Sequence, residues 1–463
     1  MRLVRSIWGW LDARLGFTSA ILPIIVHPVP KSTNWWYVLG SATMVAFIVQ
    51  VVTGVALAFS YVPAPISAYE SLEFITRGAI LGSVVRGIHY WGSSAMVVLI
   101  CVHMVRTFLM GSYKFPRELN WLTGVALLGL TFGMAFTGQL LRWNQDAYWA
   151  VVVGAEQAAR APLIGHFLAS VLVAGQTVGG ATLTRFYATH VFLFPAAMFV
   201  LIGSHLYLVV RHGISEPPSR TPVIDPATYQ ARYHEILEKE GIPFWPDAAW
   251  KDVVFALTVG SVVLLLAIVV GPAELGTQAD PTIIGADPRP DWYFLWYFAL
   301  LALLPSGIED WFIIGFPLLL GVVLIALPLV APAGERRARR RPWAVGVVGF
   351  SAVAIAGLVQ LGTAAPWSPN FEPPPLPASV TQPLTGPAAH GAVLFQEKGC
   401  INCHTLAGVG GQRGPELTGV GGRRSTAELT SRILAGGQNM PAYGSSISPQ
   451  DLSDLVAFLG TQR

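Results

Sequence analysis

Seven stretches of this 463-residue chain are each long and apolar enough to cross a lipid bilayer: 35–61, 79–107, 120–141, 186–210, 252–272, 311–332 and 343–363. A spanning helix needs about 20 apolar residues, and each run supplies them. Composition agrees, with 53% hydrophobic and only 12% charged residues, where soluble domains carry about 25% charge. The net charge of +3 is small and says little about partners; no nucleic-acid partner is expected. A shorter aromatic run, "PDWYFLWYFALLALLP" (290–305), reads as a membrane-embedded or interfacial segment. The first 33 residues lack an apolar core followed by a small-residue cleavage site. They read as an amphipathic segment lying on the membrane surface. The expected fold is all-α: a seven-span transmembrane helical protein followed, past a proline-rich linker at 366–387, by a small soluble α-helical domain at 388–463.

Positive charge sets the expected orientation. Arg2, Arg5 and Arg14, the 108–119 loop with Lys114 and Arg117, the 211–251 loop and "ERRARRR" (335–341) all fall on one side. That side is expected to be the cytoplasm of a prokaryotic cell. The loops at 62–78, 142–185 and 273–310 are poorer in Lys and Arg and fall on the other side. An odd number of spans puts the C-terminal domain there too, outside the cytoplasmic membrane.

Histidines inside a bilayer are costly and mark function. His89 and His103 lie 14 residues apart on the second run, and His190 and His205 lie 15 apart on the fourth. Each pair is separated by about 21–22 Å along its helix. Fourteen steps fall about 40° short of four turns and fifteen overshoot by about 60°, so each pair stays broadly on one side. Neutral imidazole is an axial haem ligand. The pattern predicts a four-helix bundle (within 34–215) holding two b haems, His89 with His190 for the outer and His103 with His205 for the inner. Gly40 and Gly54 on the first run, and Gly124 and Gly138 on the third, are also 14 apart. Such glycines serve plain helix packing or leave room for a porphyrin, and the shared spacing favours the second. Arg86 and Arg106 flank the histidines of the second run. They pair with haem propionates or snorkel to the interfaces. Of the three cysteines, Cys101 lies in an apolar run and reads as packing.

The other two cysteines sit in "GCINCH" (399–404). Cys-x-x-Cys-His is the pattern of covalent c-type haem attachment. Cys400 and Cys403 would form the thioethers, and His404 would be the proximal ligand. Met440, in "GGQNMPAYG", is the methionine placed to be the second ligand, and a sulfur ligand raises the haem potential.

"RGIHYWGSSAMVVLICVHMVR", "GQLLRWNQDAYWA", "GGATLTRFYATHVFLFP" and "PDWYFLWYFALL" resemble cytochrome b of the quinol:cytochrome c oxidoreductases, the cytochrome bc and b6f complexes. The resemblance covers about 30–365. The 15-residue gap between His190 and His205 is more similar to the b6f branch. In that branch the first four and last three spans are separate polypeptides, whereas here 34–215 and 216–365 are one chain. The tail resembles a small class I cytochrome c.

The resemblance implies quinol oxidation at the outer face, in a pocket between 142–160 and "PDWYF". One electron goes to a Rieske iron–sulfur partner and on to a c-type cytochrome or other soluble acceptor. The other passes through the two b haems to quinone at the inner face. Asp291 stands where the family usually has glutamate, and would accept a quinol proton; Tyr293 would pack beside the quinol. The family's Leu-Pro-Trp appears as Leu141-Arg142-Trp143, a charged residue in place of proline. The b6f branch attaches a further haem through a cysteine at the position of Val38, so that haem is not expected. Arg211, His212 and Asp225, after the fourth run, orient an inner quinone or are a solvated helix end. Expected partners are the Rieske protein, menaquinol or ubiquinol, the lipid membrane and a second copy of the complex. The rival reading is a dihaem membrane anchor that passes electrons between quinone and a separate dehydrogenase. It would not need the "PDWYF" pocket.

Overall fold

A computed structural model of the chain describes residues 2–175, 178–280, 283, 288–365, 375–411, 414–437, 440–444 and 446–463. Seven helices among them are long and apolar enough to span a bilayer: Leu39–Ala58, Gly82–Leu109, Glu118–Leu140, Gly180–His212, Trp250–Val269, Gly307–Val330 and Pro342–Ala364. They are the seven expected runs, shifted at their ends by a few residues. The aromatic run forms the short helix Trp292–Ala302. At 1.5 Å per residue it spans only about half a bilayer. Residues 366–374 of the proline-rich linker lie outside the described residues.

The first and second spans pack together, the fifth lies against both, the fourth packs on the third, and the sixth also touches the third. Helix Trp292–Ala302 packs on the seventh span. Where the first, second and fourth spans meet, Ala42, Ala46, Phe47, Met96, Leu99 and Met198 are buried. Small residues at 42 and 46 let the helices approach closely. Elsewhere the spans expose Val52, Val55, Val262, Leu265, Val322 and Val353, as lipid-facing surfaces do. The N-terminal helix Arg2–Leu15 exposes Trp8 and Trp10, which suits an interfacial helix.

The loops sort into two faces. At the face where the first span begins, residues 28–30 pair with 241–243 and 223–224 with 334–335 as short antiparallel strands. Buried Arg336 and Glu216 form an ion pair of 3.1 Å there. Arg336 also donates to the carbonyls of Met110, Glu216 and Thr221. Tyr229 donates to Glu216, and Arg117 donates to Tyr229 and to the carbonyls of Gly213 and His212. Burial alone pushes the Glu216 carboxyl up, but Arg336, Thr221 and Arg117 outweigh it and hold the group below its ordinary range. At the opposite face, Tyr61 donates to Leu141 O and Tyr69 to Gly276 O, and Gln145 donates to Asp280 O. The two groups of loops are those that the charge pattern separated.

The tail has its own core, built around Phe395, Ile401, Leu406, Leu455, Phe458 and Leu459. Its first helix, Gly386–Glu397, crosses its last, Pro449–Thr461. The crossing is at Gly391, where a Cβ would lie 2.0 Å from Asp454 O. Phe395 and Phe458 pack beside it with ring centroids 5.7 Å apart.

Candidate functional site

His89 and His190 face each other with ring centroids 6.4 Å apart and planes 78° apart. Two metal–imidazole bonds of about 2 Å and two half-rings add up to roughly 6 Å, so one metal ion fits between them. Thr53 Oγ1 lies 2.9 Å from Nδ1 of His89, and Thr137 Oγ1 lies 3.1 Å from Nδ1 of His190. In the other pair, Thr123 Oγ1 lies 2.8 Å from Nδ1 of His205. With Nδ1 so engaged, Nε2 is the nitrogen left to bind a metal, and the hydroxyl fixes the ring's orientation.

Each spaced glycine meets one of these rings. A Cβ at Gly54 would lie 3.3 Å from His89 Cε1, at Gly138 2.6 Å from His190, at Gly40 3.2 Å from His103, and at Gly124 3.7 Å from His205. The glycines therefore make room for the imidazoles of the neighbouring span. Three of the four follow the threonine that holds the same histidine: Thr53-Gly54, Thr123-Gly124 and Thr137-Gly138. Sequence reasoning missed these threonines, although a Thr-Gly pair at each site was there to be read.

The extra residue between His190 and His205 has a local cause. Thr189–Leu193 is a π-helical turn, in which Phe194 N donates to Thr189 O. Proline at 195 supplies no N–H, which favours a wider turn just before it. A π turn takes up one added residue. The 15-residue spacing thus acts as a 14-residue one, and the 60° overshoot expected from a uniform helix is absorbed.

The two arginines differ. Arg86 is buried and donates to Thr76 Oγ1 (3.2 Å) and Ala273 O (2.7 Å), so it ties the second span to the loop after the fifth. Arg106 stacks over the Tyr37 ring at 3.8 Å, and its buried Nε and Nη2 have no partner among the described residues. An acceptor group belongs there.

Asp291 comes together with Tyr293 and two residues at the end of the third span. Tyr293 donates to Asp291 Oδ2 at 2.8 Å, and Arg142 Nη2 lies 3.8 Å from Oδ1. With the Gln139 amide assigned the orientation that satisfies both its ends, its nitrogen lies 3.1 Å from Asp291 Oδ2, and its oxygen accepts from Arg142 Nη2 at 3.2 Å. Gln139 had not been singled out in the sequence. Aromatic rings continue the wall: Phe294 meets Phe132 at 5.9 Å and Phe136 at 6.4 Å.

Residues 24–213 match the family described as "Cytochrome b/b6/petB", and residues 386–459 match "Cytochrome C oxidase, cbb3-type, subunit III". The "Cytochrome b6" of Heliobacterium modesticaldum is 42% identical over 211 residues, 45% of this chain and 99% of the relative. The chain belongs to the cytochrome b/b6 family. The "Menaquinol:cytochrome c reductase cytochrome b subunit" of Bacillus subtilis is 38% identical over 223 residues, 46% of this chain and 100% of that one. A solved structure titled "Hyperthermophilic respiratory Complex III" superposes with a TM-score of 0.66 at 27% identity, covering 77% of this chain and 91% of its own. Cytochrome b carries haem b, and the tail is a cytochrome c domain, which carries haem c.

In the cytochrome c domain, Cys400 and Cys403 occupy one helical turn that follows Gly399 in left-handed conformation (φ 72°). His404 Nδ1 lies 2.7 Å from Pro415 O, which leaves Nε2 for a metal. A Cβ at Gly414 would strike that ring at 2.5 Å. Met440 packs, half-buried, against the domain's core; Gln438 and Asn439 before it lie outside the described residues.

Arg211, His212 and Asp225 were expected either to orient an inner quinone or to form a solvated helix end. Asp225 is exposed and accepts from Ala227 N (3.1 Å) and Thr228 Oγ1 (2.9 Å). It is an Asx turn leading into helix Tyr229–Glu240. Arg211 is exposed, and His212 offers its carbonyl to Arg117.

Proposed function

We propose that the chain is the cytochrome b subunit of a quinol:cytochrome c oxidoreductase and carries its own c-type acceptor as the tail. Quinol is oxidised at the Asp291 face. One electron goes to a Rieske iron–sulfur partner and from there to the tail. The other crosses the membrane and reduces quinone near the face where the first span begins. The supporting observation is one of adjacency. Gly138 packs on His190, and the next residue, Gln139, holds Asp291. Two adjacent residues, Gly138 and Gln139, thus link the proton-accepting carboxylate to a histidine of the outer pair. The printed names of the Bacillus relative and of the structural neighbour fit this reading.

When bound, two b haems and one c haem supply single-electron carriage. His89 with His190 and His103 with His205 would hold the former; Cys400, Cys403, His404 and Met440 would hold the latter. Arg106, with two nitrogens unpartnered among the described residues, would take an acidic group of the inner haem. Asp291 accepts a quinol hydroxyl proton, and the Tyr293 hydroxyl orients it. The cluster of Arg336, Arg337, Arg339, Arg340 and Arg341 faces the cytoplasm by the positive-inside rule. Seven crossings then leave the tail and the Asp291 pocket outside. The complex works as a dimer in the membrane.

A redox-titrated absorption spectrum tests the ligand sets: two b haems and one c haem per chain are expected. Oxidant pulses given with an inhibitor of the inner quinone site test the reaction. Haem b should become reduced on oxidation of the Rieske partner. Its failure to do so would favour the dihaem-anchor reading.

A further inference from the structure

We propose that Arg142 is a positioning residue for the proton acceptor, turning the Asp291 carboxylate out of its helix cap and into the pocket. The inference rests on the reading of Asp291 given above. Asp291 is the N-cap of helix Trp292–Ala302, yet its side chain makes no cap hydrogen bond. Aspartate is among the strongest N-cap residues, because its carboxylate accepts from the free amides of the first turn. Here something outcompetes that interaction. The competitors are the Gln139 amide at 3.1 Å, the Tyr293 hydroxyl at 2.8 Å and the Arg142 guanidinium at 3.8 Å.

Arg142 is itself held in place. It follows the C-terminus of the third span, where a cation is favoured by the helix dipole. Its Nε donates to Gln139 O at 3.3 Å, and its Nη2 to the Gln139 side chain. Arg142 and Asp291 side chains are only 17% and 22% exposed, so water screens their attraction weakly. The backbone turns sharply at the next residue: Trp143 has φ 49°, a conformation uncommon for so bulky a side chain. Packing over-determines this corner, since Trp143 is buried with Ala68 and Leu183. The corner presents Arg142 to Asp291.

The consequence concerns reach. Aspartate is one methylene shorter than glutamate and close to its own helix amides. Without the guanidinium, Asp291 loses its cation and the Gln139 amide loses the partner that orients it, so the carboxylate is freed to drop back and cap Trp292–Ala302, and the quinol proton loses its acceptor. Glutamate at 291 has a longer reach and is not a favoured cap, so it depends less on Arg142.

The test is steady-state quinol oxidation by the intact complex containing Arg142→Leu, Arg142→Lys, and Arg142→Leu with Asp291→Glu. General-base contributions run to about 10²–10⁴-fold. Arg142→Leu should lower kcat by about tenfold or more with KM for quinol nearly unchanged. Arg142→Lys should recover part of the loss, and Asp291→Glu in the leucine background most of it. A raised KM at unchanged kcat, or no recovery by Asp291→Glu, overturns the proposal. Should Arg142→Leu not assemble, Arg142→Gln with and without Asp291→Glu gives the same comparison. Asp291→Asn separates the two levels. If it leaves kcat intact, the reading of Asp291 fails; if it abolishes turnover while Arg142→Leu is neutral, only the role of Arg142 fails.

Discussion

Thr137 Oγ1 sits 3.1 Å from Nδ1 of His190, and the residue after it, Gly138, is the one against which that imidazole rests. One dipeptide thus sets both the orientation of the ring and the room it has. Loss of such an outer partner typically weakens metal binding by about 10–100-fold. Thr137→Val, which keeps the shape and removes the hydroxyl, should therefore release the outer haem b during detergent purification. The haem b to haem c ratio, measured by absorption, should fall from two towards one.

The four glycines should not respond alike. At Gly138 a Cβ would lie 2.6 Å from His190 Cε1, nearer than carbon atoms pack, whereas at Gly124 it would lie 3.7 Å from His205 Cε1, an ordinary contact. Gly138→Ala is expected to lose or distort the outer haem b, and Gly124→Ala to keep both. A spectrum in which the two variants match would contradict the packing described.

The Glu216–Arg336 pair joins the loop after the fourth span to the loop between the sixth and seventh, with side chains 0% and 1% exposed. Removing one partner of a buried pair costs about 3–5 kcal/mol, because the other charge is left alone. Glu216→Ala should lower the thermal midpoint clearly. Glu216→Leu with Arg336→Met should recover only part of that loss. The carbonyls of Met110 and Thr221 would still lack their donor.

The tail should weaken as the pH rises. His390 Nδ1 lies 2.8 Å from Asp454 Oδ2, and that bond raises the His390 pKa above its ordinary 6.5. A raised folded-state pKa gives stability that is complete below the unfolded value and lost as pH climbs through the folded one. Denaturant unfolding of the tail in the full chain, followed by haem c absorbance, should occur at lower denaturant at about pH 9 than at about pH 6. His390→Ala should reduce that difference.

The spans were legible because a bilayer imposes length and polarity on every one of them. The two faces followed from alternation and charge. The four histidines and four glycines were legible as spacing, but spacing does not say which glycine meets which ring; only the packed bundle pairs Gly40 with His103 and Gly138 with His190. The π turn at Thr189–Leu193 was invisible to a reading based on a uniform helix, although proline at 195 marks it. Arg142 stood out as a departure, but its attachment to Asp291 runs through Gln139, about 150 residues away in sequence from the acid it holds. For Asp225 the sequence left two readings open, an inner quinone site or a solvated helix end. The Asp-Pro-Ala-Thr turn explains it better.

The buried pair at Glu216 and Arg336 also bears on biosynthesis. The partners are 120 residues apart in the chain. At ribosomal speeds of about 5–20 residues per second, Glu216 is made roughly 6–24 s before its partner. By the time Arg336 is made, six spans and all four histidines have been synthesised, and only the seventh span is still to come. The Glu216 carboxylate gains its buried partner only once the arginine-rich loop emerges. The four spans that carry the histidines and their glycines are thus complete before the ion pair that fastens this face can form.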